Sequence, residues 1–318
     1  MKNKSGLSLF CIRVIIVYVF AYSVVVFTNM ILDHDHIFHQ DKVLGYINRK
    51  EKIPLHIDTR WFNLVKIRKQ YIHPNDVIVI GSSRSLPIGA NLGFNNIANL
   101  SSIGLHLYDL QVMLQNIDSL HLKNQVVLSL DPWIFNSNNP ESRYKNAYTY
   151  SWRYLFNFRY FKYNLAMKRR QEIADVYFSD GSRQYSNDID CEASQRAANS
   201  FVNEKGYLHD EFTDFYINMD YVKTLGEILK HGLLSKKIWL QPLNPVLYNN
   251  SNCVIIKKQV EKTESIIRDL ALKNNIPVYG SFFKQFQDCD YEDHKHLKRK
   301  VLKTEFTNLI STFNLQIN

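Results

Sequence analysis

The clearest hydrophobic pattern in the chain is an uninterrupted apolar run near its N-terminus. Residues 14–32 contain no formally charged side chain, and at about 1.5 Å per residue a helix of that length crosses the roughly 30 Å hydrocarbon core of a bilayer. A cleaved signal peptide has a shorter apolar region and a small-residue cleavage site, and no such site precedes Asp33. The pattern therefore predicts one uncleaved transmembrane helix over residues 14–32.

Charges on either side of this run predict its orientation. Lys2, Lys4 and Arg13 precede the run, whereas an acidic Asp-His-Asp sequence follows it. Because positively charged flanks stay in the cytoplasm, residues 1–13 are expected to form a cytoplasmic N-terminus and the start of the anchor. The sequence thus predicts a single-pass protein of the cytoplasmic membrane with its main domain extracytoplasmic.

After residue 70 the chain alternates short apolar runs with amphipathic stretches. Buried parallel strands have continuous apolar sequences, and residues 77–80 form such a run. Residues 126–130, 237–240 and 276–279 are mostly apolar and are interpreted as further strands. Helical patterns occur at residues 107–122, 260–274 and 297–313. This alternation predicts an α/β fold with three layers, α/β/α, and a parallel sheet that binds ligands at the carboxyl ends of its strands.

The remaining segments indicate the domain boundaries. Residues 33–70 are mixed polar and aromatic, with a Trp-Phe pair in a basic stretch, and are interpreted as a juxtamembrane linker leading into a first helix. Residues 71–318 are predicted to form the α/β domain, interrupted at about residues 137–218 by an insertion or cap. The aromatic and basic stretch 148–170 fits ordinary packing best, with a lid or a membrane-surface contact as alternatives.

Composition narrows the class of protein and leaves the partner open. The chain is 45% hydrophobic and 13% aromatic, which excludes collagen-like, coiled-coil and low-complexity architectures. Its formal net charge of +9 allows attraction to nucleic acid, anionic lipid or an acidic polymer. Among the exported cysteines, Cys191, Cys253 and Cys289, at most one disulfide can form, and burial as small apolar side chains is the alternative.

Candidate catalytic residues follow the first and the last predicted strands. Residues 81–85 (GSSRS) place Ser83 on a tight turn after the first strand, where a serine nucleophile needs a base and oxyanion donors nearby. Asp293 and His296 are three residues apart, a spacing that on a helical turn puts carboxylate and imidazole on one face. His294 has no such partner and is expected to be solvated. The pattern predicts a Ser83–His296–Asp293 triad.

Other chemistries fit the sequence less well. A phosphate-binding loop at residues 81–85 would lack the second glycine and the lysine of the Walker pattern. The basic run 295–303 is interpreted as a solvated face or, if it borders the site, as a contact for an anionic polymer. Four histidines that precede the first strand have no second cluster with zinc-like spacing, so no metal and no other cofactor is expected. They are His34, His36, His39 and His73.

Several segments resemble the SGNH (GDSL-like) hydrolase superfamily, in its membrane-anchored branch of alginate O-acetylation and DltD-like teichoic-acid D-alanylation proteins. Residues 81–84 (GSSR) resemble the first sequence block of that family, residues 99–109 the second and residues 293–296 the last. The resemblance spans about residues 71–310 and excludes the anchor. It implies an SGNH, flavodoxin-like fold with Ser83 as the nucleophile.

The resemblance also implies an oxyanion hole. The backbone amides of Ser83 and Gly104 match two of its donors. The family often supplies a third donor from an asparagine after the third-block strand, where this chain has LDPW at residues 130–133. Losing one such donor costs about 10²–10³ in rate. Asn99 and Asn136 are candidate replacements, and capping of its loop is the other role open to Asn99.

Together these features predict a membrane-anchored, extracytoplasmic serine esterase or O-acyltransferase. The resemblance implies acyl groups, above all acetyl, of a cell-surface or secreted polysaccharide as the substrate, and a membrane-bound acyltransferase as a candidate partner. No nucleic-acid-binding motif is recognisable, so no nucleic acid is expected. The alternative is a non-catalytic accessory module of the same fold that binds glycan or the acyltransferase, and the missing asparagine favours it.

Overall fold

The computed structural model of the chain describes most of its residues. These are residues 4–33, 39–49, 52–55, 59–69, 71–138, 155–170, 175–184, 190–203, 215–232, 234–249 and 254–317. The chain divides into two units. One is formed by Met1–Ile57 with Thr149–Val176, and the other by Asp58–Tyr148 with Tyr177–Asn318.

From residue 99 onward each strand is followed by at least one helix before the next strand, as the sequence pattern predicts. The helices are α1 (Lys4–Leu32), α2 (Gln40–Asn48), α3 (Thr59–Arg68), α4 (Leu107–Asp118), α5 (Phe158–Arg170), α6 (Cys191–Asn203), α7 (Met219–Lys230), α8 (Val246–Asn249), α9 (Val254–Lys273) and α10 (Arg299–Phe313). The strands are β1 (Ile53–Leu55), β2 (Val77–Ile80), β3 (Ile97–Asn99), β4 (Gln125–Leu130), β5 (Asp175–Tyr177), β6 (Ser235–Leu240) and β7 (Val278–Gly280). β1 and β5 pair in a separate two-stranded sheet.

The N-terminal helix α1 has the length and composition expected of a membrane anchor. Its segment Leu9–Leu32 is apolar, long enough to cross a membrane and mostly exposed, which suits lipid rather than water as its surroundings. The helix begins at Lys4, ten residues before the predicted start of the transmembrane helix. The predicted single apolar helix at the N-terminus is confirmed.

The second unit is built on a five-stranded parallel sheet with the strand order β3-β2-β4-β6-β7. β2 pairs with β3 on one side and with β4 on the other. Counted within this sheet the order is 2-1-3-4-5, a doubly wound arrangement whose switch point lies between β2 and β4. The predicted α/β fold with a parallel sheet is confirmed, and its edge strand β3 was not identified from the sequence.

Both faces of the sheet are covered by apolar side chains. In β2, Ile78 and Ile80 join a core that includes side chains of α4, α7 and α9. Val77 and Val79 join a second core with side chains of α10. Successive side chains of a strand point to opposite faces, so a continuous apolar strand requires cover on both sides. The carboxyl ends of the strands are left as the edge where functional loops can form.

Helix α3 belongs to the core of the second unit, although residues 33–70 were interpreted as a linker. Nearly every residue of α3 is buried. Three polar side chains account for the difference, because Arg60, Asn63 and Lys66 donate hydrogen bonds to backbone carbonyls at the end of β3 and in the loop after it. Polar residues that resemble a solvated linker in the sequence are therefore buried here with partners.

The predicted insertion at about residues 137–218 contains α5, β5 and α6, and its residues 139–154, 171–174, 185–189 and 204–214 lie outside the described part of the chain. One described segment, residues 177–184, covers the outer edge of β3. There, Asn99 N donates to Asp180 O over 2.8 Å. This part of the insertion closes a sheet edge that would otherwise expose unpaired backbone groups.

A disulfide joins Cys191, the first residue of α6, to Cys289. The sequence left open whether the exported cysteines form one disulfide or are buried as small apolar side chains. The structure has the disulfide. Cys253 lies outside the described residues. The bond connects the insertion to the segment that leads into α10.

Candidate active site

Ser83 lies on the turn that follows β2 at the carboxyl edge of the sheet. A hydrogen bond from Ser85 N to Ser82 O (3.0 Å) curls the chain directly after the strand. The turn begins with Gly81, where a Cβ would lie 2.4 Å from Ser85 Oγ and 2.8 Å from Ser129 Cβ. Only glycine allows this close approach, and the resulting turn leaves Ser83 half-buried.

Asp293 and His296 lie on a closed loop before α10, here called the histidine loop (residues 290–298). Asp293 Oδ1 accepts hydrogen bonds from Lys295 N (2.7 Å) and His296 N (2.8 Å), and Glu292 N donates to His296 O (2.7 Å). The expectation of a helical turn is wrong. The backbone instead wraps around the Asp293 carboxylate, which brings it beside the imidazole at the same three-residue spacing.

The three predicted catalytic side chains form one hydrogen-bonded chain. Ser83 Oγ lies 2.9 Å from His296 Nε2, and His296 Nδ1 lies 2.7 Å from Asp293 Oδ2. With Nδ1 donating to the carboxylate, Nε2 is left to accept the serine proton. Both distances are short enough for general-base catalysis.

The Asp293 carboxyl is held in its ionised form. Burial alone raises its pKa, but the hydrogen bond from His296, the charges of His296 and His294, and the hydrogen bond from Lys295 N outweigh burial and lower the pKa well below its ordinary value. An ionised carboxylate is the form that can stabilise an imidazolium at His296.

Gly104 lies in the loop after β3, beside the serine turn. Ser102 N donates to Gly81 O over 2.8 Å, which joins the two turns. Gly104 has a φ of 60°, in the left-handed region that favours glycine. Arg60 Nη2 donates to Ile103 O over 3.0 Å. Since the C=O and N–H of a trans peptide point in opposite directions, this contact turns the Gly104 N–H away from Arg60.

Arg60 is itself held by Asp109 of α4. Its Nε donates to Asp109 Oδ1 (2.9 Å) and its Nη2 to Oδ2 (3.0 Å), and both side chains are buried. Oδ2 also accepts a hydrogen bond from His106 N, which caps α4. Two-pronged pairs of this kind fix geometry as well as charge, so Arg60 sets the orientation of the loop that carries Gly104.

The two asparagines considered as oxyanion donors have different surroundings. The Asn99 amide nitrogen donates to backbone carbonyls of the serine turn, at Ser85, Leu86 and Ile88, over 2.7 to 3.2 Å. These contacts support the capping role rather than an oxyanion role for Asn99. Asn136 forms a bridge with Ile217 beyond β4, and its role as a donor stays a prediction.

Arg84, directly after Ser83, connects the loops of the site. Its side chain is buried. Nε donates to Lys295 O (3.1 Å), and Nη2 donates to Gln241 O (2.7 Å) and Pro242 O (2.5 Å). One guanidinium therefore links the serine turn to the histidine loop and to the loop after β6.

Arg84 also forms a buried ion pair with Asp131, the residue that follows β4. Nη1 lies 3.4 Å from Asp131 Oδ1, and Asp131 Oδ2 is buried without a hydrogen-bond partner in the described part of the chain. Burial raises the pKa of the Asp131 carboxyl, while the attraction of Arg84 opposes this rise. A third oxyanion donor was expected after β4 from the resemblance described above. That position instead holds the Asp131 carboxylate, which faces Arg84.

His294 is buried, so the expectation of a solvated ring is wrong. Its imidazole stacks on the ring of Phe201 in α6, with centroids 3.6 Å apart and planes 8° from parallel. This contact could not be predicted from the sequence, because Phe201 is far from His294 along the chain. Together with the disulfide between Cys191 and Cys289, this stack fixes α6 against the histidine loop and the segment just before it.

A small, partly open cleft lies beside the serine and histidine. Arg299, at the start of α10, lines this cleft and donates to Asn91 O. The basic run 295–303 therefore contributes one guanidinium to the cleft wall. The residues around the cleft are Ser83, Arg84, Pro87, Asn91, Glu292, His296, Leu297, Arg299 and Leu302.

Arg60 and Arg84 support the site but were not identified from the sequence. Arg84 carried a weak signal, because it lies on the short turn only four positions after a fully apolar strand, where the chain is still close to the core. Arg60 carried none, since its partner Asp109 is 49 positions away.

Among the residues that the structure describes, no group of three or more His, Cys, Asp or Glu side chains is arranged to hold a metal ion. Two of the four histidines named above, His34 and His36, lie outside those residues. In comparisons with known proteins, no family model, no curated protein and no solved structure matches the chain.

Proposed function

We propose that the protein is a membrane-anchored serine esterase or O-acyltransferase of the SGNH type. The observation that carries the proposal is the hydrogen-bonded chain from Ser83 through His296 to Asp293. Its substrate is an acyl ester, with acetyl as the preferred acyl group, of a cell-surface or secreted polysaccharide. The segments that resemble the three family blocks follow β2, begin at the end of β3 and precede α10, which supports the same assignment.

The reaction begins when Ser83 Oγ attacks the acyl carbonyl carbon. His296 Nε2 takes the hydroxyl proton as the new C–O bond forms, and the backbone N–H groups of Ser83 and Gly104 donate to the oxyanion. Collapse of the tetrahedral intermediate breaks the ester C–O bond. His296 returns the proton to the leaving alcohol, and Ser83 keeps the acyl group.

A second oxygen nucleophile then releases the acyl group. His296 removes its proton as it attacks the acyl carbon, and the proton passes to Ser83 Oγ as that bond breaks. Water as the nucleophile gives a free acid, so the protein acts as an esterase. A hydroxyl of the polysaccharide gives a new ester, so it acts as an acyltransferase, and the exclusion of water from the cleft decides between the two.

Two features support an extracytoplasmic location for the catalytic unit. Helix α1 has the length of a single-pass anchor, and its positively charged flank favours a cytoplasmic N-terminus. The disulfide between Cys191 and Cys289 is typical of oxidising compartments outside the cytoplasm. An enzyme tethered there meets cell-surface polysaccharide, and a membrane-bound acyltransferase is the candidate partner that supplies acyl groups.

A fluorophosphonate probe tests the proposal, because it forms a covalent bond only with an activated serine. We expect the full chain in detergent to be labelled at Ser83 and Ser83→Ala to abolish labelling. Asp293→Asn should slow labelling by about 10³-fold or more, since the imidazole loses its tautomer and its counter-charge. Ser119→Ala, at the end of α4, is the control that should be labelled like the wild type. A folded wild-type chain that takes no label overturns the enzymatic proposal.

A non-catalytic accessory module is the second candidate. The observation that favours it is the engagement of the Asn99 amide with the carbonyls after Ser83, together with the absence of an asparagine at residues 130–133. A module of this kind would bind glycan or an acyltransferase partner and would leave Ser83 unlabelled. The fluorophosphonate experiment therefore separates the two candidates.

A further inference from the structure

The first unit contains a segment that is fixed to the C-terminal end of α1. Asn29 is completely buried, and its amide nitrogen donates to Leu155 O (3.0 Å) and Asn157 O (3.2 Å). Its Oδ1 accepts from the amide of Asn164 (3.2 Å). Tyr160 adds a hydrogen bond to Asp33. These hydrogen bonds attach the start of α5, and the residues just before it, to the C-terminal end of α1.

This segment reaches back along α1 to the depth of the hydrocarbon. The ring of Phe156 lies 6.0 Å from the ring of Tyr22. Tyr22 precedes Leu32, the end of the span, by about 15 Å at the usual rise of an α-helix. If α1 crosses a bilayer with a hydrocarbon core of about 30 Å, Phe156 is well below the point where the helix leaves the core.

The hydrogen bonds of Asn29 fit such a position. Lipid offers no partner for a backbone carbonyl, so non-helical backbone at membrane depth needs a partner within the protein. The carbonyls of Leu155 and Asn157, which precede the regular part of α5, receive one from the Asn29 amide. A polar side chain inside an apolar span raises the free energy of insertion into lipid unless it has hydrogen-bond partners within the protein, as Asn29 has here.

The exposed surface of this segment is aromatic and basic. Phe156 is 48% exposed and Phe158 57% exposed. Phe161 stacks on Phe158 at 5.5 Å, and Lys162 Nζ lies 5.3 Å from the Phe158 ring centre. Arg159 is also exposed, and α5 contains no acidic residue. Aromatic rings prefer the boundary of the hydrocarbon, and Lys and Arg reach the phosphates above it.

We infer that residues 155–162 insert into the lipid leaflet that surrounds the C-terminal end of α1. Phe156 and Phe158 contact acyl chains there, and Arg159 and Lys162 contact anionic headgroups. The segment thus makes a second attachment to the membrane beside α1. The inference rests on the first unit alone and does not depend on the catalytic proposal.

Fluorine NMR of the full chain in lipid nanodiscs tests this contact. 4-Trifluoromethylphenylalanine is introduced at Phe156, a change that keeps the ring. A nitroxide carried on lipid acyl chains should broaden its signal strongly, whereas a water-soluble gadolinium chelate should not. The matched control is the same label at Phe20, which is 70% exposed in the span and should respond in the same way.

Two results overturn the inference while the Phe20 control behaves as expected. Broadening at position 156 by the gadolinium chelate places the ring in water. Protection of position 156 from both agents places it against protein, either a second copy of the chain or a membrane partner. Broadening by the lipid nitroxide alone supports insertion into the leaflet.

Discussion

Arg84 has two roles, since it neutralises a buried carboxylate and also donates hydrogen bonds to two other loops of the site. Mutation can separate these roles. It is buried opposite the Asp131 carboxylate, and removal of one partner of a buried pair costs about 3–5 kcal/mol because the other charge remains unpaired. We expect Arg84→Met to lower the free energy of unfolding by about this amount. Addition of Asp131→Asn should recover most of the loss. Urea unfolding of the full chain in detergent, followed by tryptophan fluorescence, measures both changes.

The same double variant shows whether Arg84 also positions the histidine loop. It still lacks a donor for the carbonyls of Lys295, Gln241 and Pro242. The rate of Ser83 labelling should therefore stay about 10²-fold below wild type after stability is restored, the usual effect of a small displacement of reacting groups. Labelling that returns together with stability contradicts the positioning role. Asp131→Asn alone keeps the guanidinium and is the control for labelling, which should stay near the wild-type rate although the unpaired Arg84 lowers the stability of the chain.

Among the residues of the candidate site, those proposed to carry the chemistry are easier to predict from sequence than those that support them. Ser83 follows an apolar strand, and Asp293 and His296 lie three positions apart, so local patterns identify all three. Arg60 acts through Asp109, 49 positions away, and the two meet only because α3 packs beside α4. A charged side chain in a polar stretch of sequence does not reveal such burial.

Helix α6 supports the histidine loop from within the predicted insertion. Its disulfide from Cys191 to Cys289 spans 98 positions, and closing a loop of that length in the unfolded chain stabilises a protein by about 4–5 kcal/mol in the chain-entropy model. The double variant Cys191→Ser with Cys289→Ser should lose up to that amount of stability. It should also slow labelling of Ser83. Without the disulfide, α6 is no longer covalently joined to the segment before the histidine loop, and the stack of Phe201 on His294 holds that loop less firmly.

Cys11→Ser is the matched control for this pair, since Cys11 is a free cysteine in α1. It should leave both unfolding and labelling unchanged. Reduction of the wild-type chain should reproduce the behaviour of the double variant. If the double variant unfolds more easily but is labelled at the wild-type rate, α6 stabilises the unit without positioning the histidine loop.

Strands with long apolar runs are predictable from the sequence, whereas short strands that contain polar residues are not. β2 is a continuous apolar stretch, and most of β4 and the second half of β6 are apolar. All three strands were predicted close to their observed positions. β3 has only three residues and includes the polar Asn99, so its run was too short to recognise. The buried polar groups of α3 concealed that helix in the same way, because their partners lie in a distant loop.

For the whole molecule, the sequence predicts the class of fold but not the order of its strands. Alternating strands and helices require a parallel sheet with cover on both faces. The pairing of β2 with both β3 and β4 depends on contacts between distant segments, which no local pattern records. The division of the chain into two units is likewise non-local, since α5 joins the N-terminal helices from more than a hundred residues away.

Lys66 makes the stability of the second unit depend on pH in the alkaline range. Its ammonium group is buried and donates to the backbone carbonyls of Asn99 and Asp180. Burial lowers its pKa to about 8, against the attraction of the Asp180 and Asp76 carboxylates. Between this value and the ordinary lysine pKa of about 10.4, the unfolded chain holds a proton that the folded chain has released. Stability contributed by this group therefore rises with pH across that window.

Lys66→Met isolates this effect because it removes one titrating group and leaves the others in place. The free energy of unfolding of the wild type, minus that of the variant, should increase by about 3 kcal/mol from about pH 7 to about pH 10.5. The hydrogen bonds lost to Asn99 O and Asp180 O shift the difference by the same amount at every pH, so they do not affect its slope. Urea titrations of both chains in detergent at several pH values measure it. A difference that stays constant across this range contradicts the burial of a charged Lys66, and with it the packing of α3 against the edge strand.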